Sequence, residues 1–122
     1  MLQLALMALT LIVLDAVWLM SRMADTMSIF AKLQGQPLVI RPVPAGLVYI
    51  LILGAVWFFT HDAKTIEEAV GRGSMLGLAM YGVYDLTNYA TLAKYPLSFA
   101  ITDIAWGTFL CACVSTVGFL CK

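Results

Sequence analysis

Three features of this chain point to an all-α integral membrane four-helix bundle. Hydrophobic residues make up 62% of the 122 residues, and charged residues only 11%. The mean hydropathy is +0.94. Long apolar runs recur along the chain, separated by shorter stretches that hold most of the charge. A soluble core does not need so many apolar residues in runs of that length, whereas a bilayer does. The length allows one domain, residues 1–122. With seven basic and seven acidic residues the formal net charge is zero and no basic patch stands out, which argues against nucleic acid as a partner.

The first run, Leu2 to about Met20, reads as a mature helix rather than a signal peptide, because no Lys or Arg precedes it and no small-x-small pattern closes it. The connection that follows, Ser21 to Val43, is the long one. Arg22, Asp25, Lys32 and Arg41 are interspersed there with Met23, Met27, Ile29, Phe30 and Leu33, which leaves two forms open: an amphipathic helix lying at the interface, or a solvated loop. Gly35 and Pro37 argue against helix through its whole length. "RPVP", Arg41 to Pro44, then opens the second span, Pro44 to about Thr60, with Pro44 suited to a first turn.

His61 to Val70 is the opposite connection. Thr65 and Glu68 have the spacing of a capping box, so the third helix is expected to start there and to span Gly71 to Leu92. His61, the only histidine, sits beside Asp62 in this loop and reads as a surface residue. Gly73 and Gly77 have the small-xxx-small spacing that lets two helices approach closely. "AKYP", Ala93 to Pro96, is a short turn into the fourth span, Leu97 to about Leu120. At about 1.5 Å per residue the four spans cover roughly 25 to 36 Å, against a hydrocarbon core of about 30 Å. Cys111, Cys113 and Cys121 are odd in number, and Cys111 and Cys113 point to different faces, so they read as small hydrophobes rather than as a disulfide or metal set.

The aspartates inside the apolar runs are the informative residues. With four spans, the end of the first helix, the end of the third and the start of the fourth share one membrane face. By helical rise, Asp15 then lies about 7 Å in from Met20, Asp85 about 10 Å in from Leu92, and Asp103 about 9 Å in from Leu97. The turn between them is too short for anything but an antiparallel hairpin, so Asp85 and Asp103 sit at nearly equal depth. Each costs about 2.5 to 3.5 kcal/mol at mid-membrane, so all three are expected to face inward. Tyr81, Tyr84 or Asp85, and Asn88 follow helical spacing on one face. Asp15 shares a face with Trp18, as Asp103 does with Trp106, and the D-x-x-W spacing occurs in both "DAVW" and "DIAW".

Taken together, "LDAVWL", "YGVYDLTNYATL", "YP" and "TDIAWG" resemble the motifs of an uncharacterised family of small bacterial four-span membrane proteins, a domain-of-unknown-function family. The resemblance covers most of the chain. It implies the four-helix membrane fold, and with it a bacterial inner-membrane location. It marks Asp15, Trp18, Tyr84, Asp85, Thr87, Asn88, Asp103 and Trp106 as motif positions, and it implies no activity.

Carboxyls gathered in low dielectric cannot all ionise unless something positive joins them. Three readings follow. In the first, a proton, a metal ion or an organic cation such as a lipid head group binds among Asp15, Asp85 and Asp103, with Tyr81, Tyr84, Thr87, Asn88, Trp18 and Trp106 shaping the pocket, and the use is transport. Four helices are expected to form a homodimer to enclose a path. In the second, Arg22 or Arg41 supplies the charge, the cluster is structural, and the protein is an accessory or assembly subunit of a larger membrane complex. In the third, which ranks last, one carboxyl with Tyr84 performs lipid chemistry; no His set, Ser-His-Asp set or nucleotide loop supports it. Besides a second copy or a larger complex, membrane lipid is the expected partner. Trp57, Phe58, Phe59 and Tyr95 read as interfacial anchors. Lys and Arg are nearly balanced between the two sides and only faintly place the acidic face toward the cytoplasm.

Overall fold

The computed structural model describes all the residues, Met1–Lys122. They form four helices: α1 (Leu2–Gln34), α2 (Pro42–Thr60), α3 (Ile66–Thr91) and α4 (Leu97–Leu120). No residue is in a strand.

Helix α1 differs from both forms expected for the Ser21–Val43 connection. It runs without a break through 33 residues. Neither Gly nor Pro interrupts the chain before Gly35, and the inward stripe does not stop at Met20. Met7, Leu11, Asp15, Trp18, Arg22, Thr26, Phe30 and Leu33, spaced by three or four, are all buried or half-buried. At about 1.5 Å per residue the helix is about 50 Å long, so its C-terminal part reaches beyond a hydrocarbon layer of about 30 Å. Gly35 ends it with φ 75°, a left-handed conformation that costs glycine nothing, and its N–H donates to the Ala31 carbonyl.

Helix α2 starts at Pro42, two residues ahead of Pro44, with Arg41 as N-cap. Helix α3 is capped by Thr65, whose hydroxyl accepts the Glu68 N–H at 3.1 Å. The reciprocal bond goes one residue further back than in the standard box, from the Lys64 N–H to Glu68 Oε2 at 2.9 Å.

Three helices, α1, α2 and α4, are long and apolar enough to cross a membrane. Helix α3 falls short because it carries glycines, tyrosines, Asp85 and Asn88, and it lies antiparallel along α4, with contacts from Ala69–Ser115 at one end to the Asp85 level at the other. That pair packs most closely. A methyl group on Gly77 would come within 2.3 Å of the Gly107 carbonyl oxygen, and one on Gly73 within 2.6 Å of the Ser115 Cβ. Small residues thus let the two backbones touch. The Tyr81 ring covers Gly107 in the same way. Ser115 donates across the contact to the Ala69 carbonyl at 2.7 Å.

The half of the bundle that holds the N-terminus, the far half, is filled by Met7, Leu11, Ile52, Val56, Leu110, Cys111 and Val114. Polar bonds pin its rim. Gln3 donates to the Gly118 carbonyl at 2.8 Å, Lys122 to the Ala63 carbonyl, and Arg72 pairs with both Asp62, at 2.6 Å, and Glu68. The Arg72 guanidinium, hydrogen-bonded to Asp62, holds that carboxyl below its ordinary range. His61 is exposed and stacks on Trp57, ring centroids 4.5 Å apart. All three cysteines are free thiols. The buried acids all lie in the opposite, near half.

Candidate functional site

Two acidic centres occupy the near half, each built from several helices. Asp15 is 8% exposed. Its Oδ2 accepts the Tyr49 hydroxyl of α2, and its Oδ1 accepts the indole N–H of Trp106 on α4 at 3.1 Å. One α1 carboxylate therefore ties α2 and α4 together. The Trp106 ring that donates this bond also stacks on Trp18 of α1, centroids 4.7 Å apart and planes within 4°. Arg22, one turn further along α1, lays its guanidinium over the Trp18 ring, 5.4 Å from its centroid.

The second centre is the hairpin pair. Asp85 is 0% exposed. Its Oδ1 accepts the Tyr95 hydroxyl at 2.7 Å. Its Oδ2 is buried and receives no N–H or O–H from a neighbouring donor group. The group that faces Asp85 within hydrogen-bonding reach is another carboxyl, Asp103 of α4. Two carboxylates so placed in a medium of low polarity repel, and a proton or a cation between them removes the repulsion. Tyr84 and Tyr95 flank the pair, with Asn88 beside both hydroxyls.

Two cavities meet at Asp103. One, of about 380 Å³, opens between α2 and α3 and is lined by Val48, Ile52, Met80, Tyr81, Tyr84 and Asp103. The other, of about 180 Å³, lies on the α1 side, where Asp15, Trp18, Thr26, Phe30 and Phe99 join the same Tyr81, Tyr84 and Asp103. Asp103, Tyr81 and Tyr84 are thus the wall common to both.

Of the residues singled out from the sequence, the fold brings together Asp15, Trp18, Tyr81, Tyr84, Asp85, Asn88, Asp103 and Trp106. It leaves Thr87 out. Two residues past Asp85 is about 200° around a helix, and Thr87 is on the exposed side, where its carbonyl accepts the Thr91 hydroxyl. Arg41 stands exposed at the N-cap of α2, away from the acids. Arg22 makes no ion pair either. It lies about 10 Å further along α1 than Asp15, and its side chain turns back only as far as Trp18. No three of the His, Cys, Asp and Glu side chains converge to hold a metal ion.

Two site residues were not anticipated. Tyr95, expected to be an interfacial anchor, is 3% exposed and turned inward, wedged against Phe30 and Phe99 while it donates to Asp85. Tyr49 is the donor that α2 contributes to Asp15. The available signal was chemical: tyrosine is the one polar side chain within the apolar run from Pro42 to Phe59.

Four helices, three of them able to cross a bilayer, around aspartates held away from lipid define an integral membrane protein with a polar interior site. The chain belongs to the family described as "Predicted membrane protein (DUF2177)", whose sequence model matches residues 1–120. No curated protein and no solved structure matches the chain.

Proposed function

We propose that this protein binds a cation in exchange for a proton at the Asp85–Asp103 pair and uses that exchange to carry the cation across the membrane. One observation carries the reading: a fully buried carboxyl, Asp85, faces a second carboxyl with one oxygen unpartnered and no basic side chain paired to either acid. With no ligand, a shared proton relieves the pair; a bound cation takes its place and the proton leaves. Neither Arg22 nor Arg41 forms an ion pair with the acids, and Arg22 acts on the Asp103 charge only from a distance, which favours this reading over an internally neutralised, purely structural acid site. The lack of three converging metal donors favours an organic cation over a metal ion. The aromatic groups around the acids, Trp18, Tyr81, Tyr84 and Phe99, suit an ammonium group.

The apolar far half contains no buried acid or base, so the reading is of a carrier that rearranges and not of an open channel. A second copy of the chain packed against the exposed apolar faces would provide the enclosure that four helices lack. Cation addition to the purified protein in weakly buffered detergent tests the exchange. About one proton should be released per cation bound, and Asp85→Asn and Asp103→Asn should each release none. Binding without proton release, or release unchanged in both variants, refutes the exchange.

A further inference from the structure

We infer that the cation is the head of a single-chain amphiphile, which reaches Asp103 sideways from the bilayer and lays its tail in the cleft between α2 and α3. The inference rests on the reading of the Asp85–Asp103 pair given above and adds the class of ligand and its route.

The cleft has the chemistry of an amphiphile arranged in order. Its inner end is Asp103 with the hydroxyl-bearing rings of Tyr81 and Tyr84, and its walls are Val48, Ile52 and Met80. At about 380 Å³ it falls toward the lower end of small-molecule sites, roughly 300 to 1,000 Å³. From the acid, Met80 and Ile52 lie toward the far half, the direction a tail takes when its head stays near the membrane surface. A second recess, of about 620 Å³, lies further along between the same two helices, among Phe58, Phe59, Met75, Leu76 and Ala79.

The mouth of the cleft faces hydrocarbon. Val48 on its rim is 51% exposed, with Leu51 and Val83 nearby more exposed still. Helix α3 turns its small residues Gly73 and Gly77 toward α4, so the α2–α3 seam lacks the close backbone contact that shuts the α3–α4 seam. A small hydrophilic cation would have to shed its water to cross that mouth, at a cost of many kcal/mol. A long-chain ammonium is already concentrated in the bilayer by its tail, with its head at the headgroup level. Asp103 lies only about 9 Å in from the start of α4, within reach of that head. Around the acid, the smaller cavity adds Trp18 and Phe99, and its unpaired negative charge selects a cationic head over an anionic one.

The test uses the full chain in lipid nanodiscs and two probes with the same head, dodecylammonium and ethylammonium, read by thermal unfolding. Dodecylammonium is expected to raise the melting temperature at concentrations at least about tenfold below any effect of ethylammonium, because its tail partitions into the apolar phase. The rise should vanish in Asp103→Asn, and Val48→Phe, which fills the rim of the cleft, should bring the dodecylammonium response down to that of ethylammonium. Should both amines act equally, or Val48→Phe change nothing, the amphiphile is refuted and the cation site stands. A dodecylammonium effect that persists in Asp103→Asn is a bilayer effect and refutes the inference. If neither amine acts on the wild type, the inference and the cation site fall together.

Discussion

Replacing Tyr95 by Phe removes one hydroxyl and keeps the ring that fills the space between Phe30 and Phe99. That hydroxyl donates to Asp85 Oδ1 at 2.7 Å, and Asp85 is 0% exposed. Its other oxygen already lacks an N–H or O–H partner, so the variant removes the one hydroxyl donor the carboxyl receives. A buried acceptor stripped of its donor costs about 1 to 3 kcal/mol, which is about 5- to 150-fold in the unfolding equilibrium. The assay is reversible unfolding in mixed detergent micelles, run as a double-mutant cycle with Asp85→Leu. In the Asp85→Leu background the hydroxyl has lost its acceptor, and Tyr95→Phe should then cost close to nothing, so nearly the whole effect should appear as coupling. Equal costs in the two backgrounds would refute the argument that Tyr95 acts through Asp85.

The remaining predictions concern packing, the Asp15 centre and the far rim. Gly77→Ala should destabilise by about 1 to 3 kcal/mol, because the new methyl meets the backbone of Gly107, which cannot yield. Gly82→Ala, on the same helix with nothing within 4 Å, should be neutral or stabilising by up to about 1 kcal/mol, and equal stabilities for the two would sink the close-packing account. Trp106→Phe should keep an aromatic face for Trp18 but lose the N–H that Asp15 accepts, lowering stability by about 1 to 3 kcal/mol; a loss matched in an Asp15→Leu background would count against the bond. For Asp62 the folded carboxyl titrates below its ordinary value of 3.8. Its pairing with Arg72 therefore adds stability above that pH and loses it as the pH falls through the lower, folded value. Arg72→Gln should flatten this acid limb in melting curves, by little because Asp62 is exposed, and an unchanged limb would refute the linkage.

Much of the site's position was legible because it follows from covalent geometry and from the cost of charge in lipid. A five-residue connection, Leu92–Pro96, forces a hairpin, and residues at like distances from a hairpin turn share a level; Asp85 and Asp103 meet for that reason. An aspartate pays too much free energy facing hydrocarbon, so its inward direction follows without knowing its neighbour. Thr65 caps α3 because that bond spans only three residues. The long α1 was also encoded, in the spacing of three and four that runs from Met7 to Leu33, but Arg22, Asp25 and Lys32 break the apolar run that marks a span.

Local spacing and solvent preference, both legible along the chain, thus set the class of protein, the number of helices and the positions of the acids along them. Tertiary structure alone decided which donors those acids receive. Tyr49 and Tyr95 reach Asp15 and Asp85 across 34 and 10 residues of chain, and their directions depend on how α2 is rotated and how the turn folds. It also decided that Arg22 pairs with an indole ring and not with a carboxylate, since a side chain of fixed length reaches only the groups that packing brings near it. Hydrogen bonds and close contacts act over a few ångströms, and that short range is why the partners had to be seen in three dimensions.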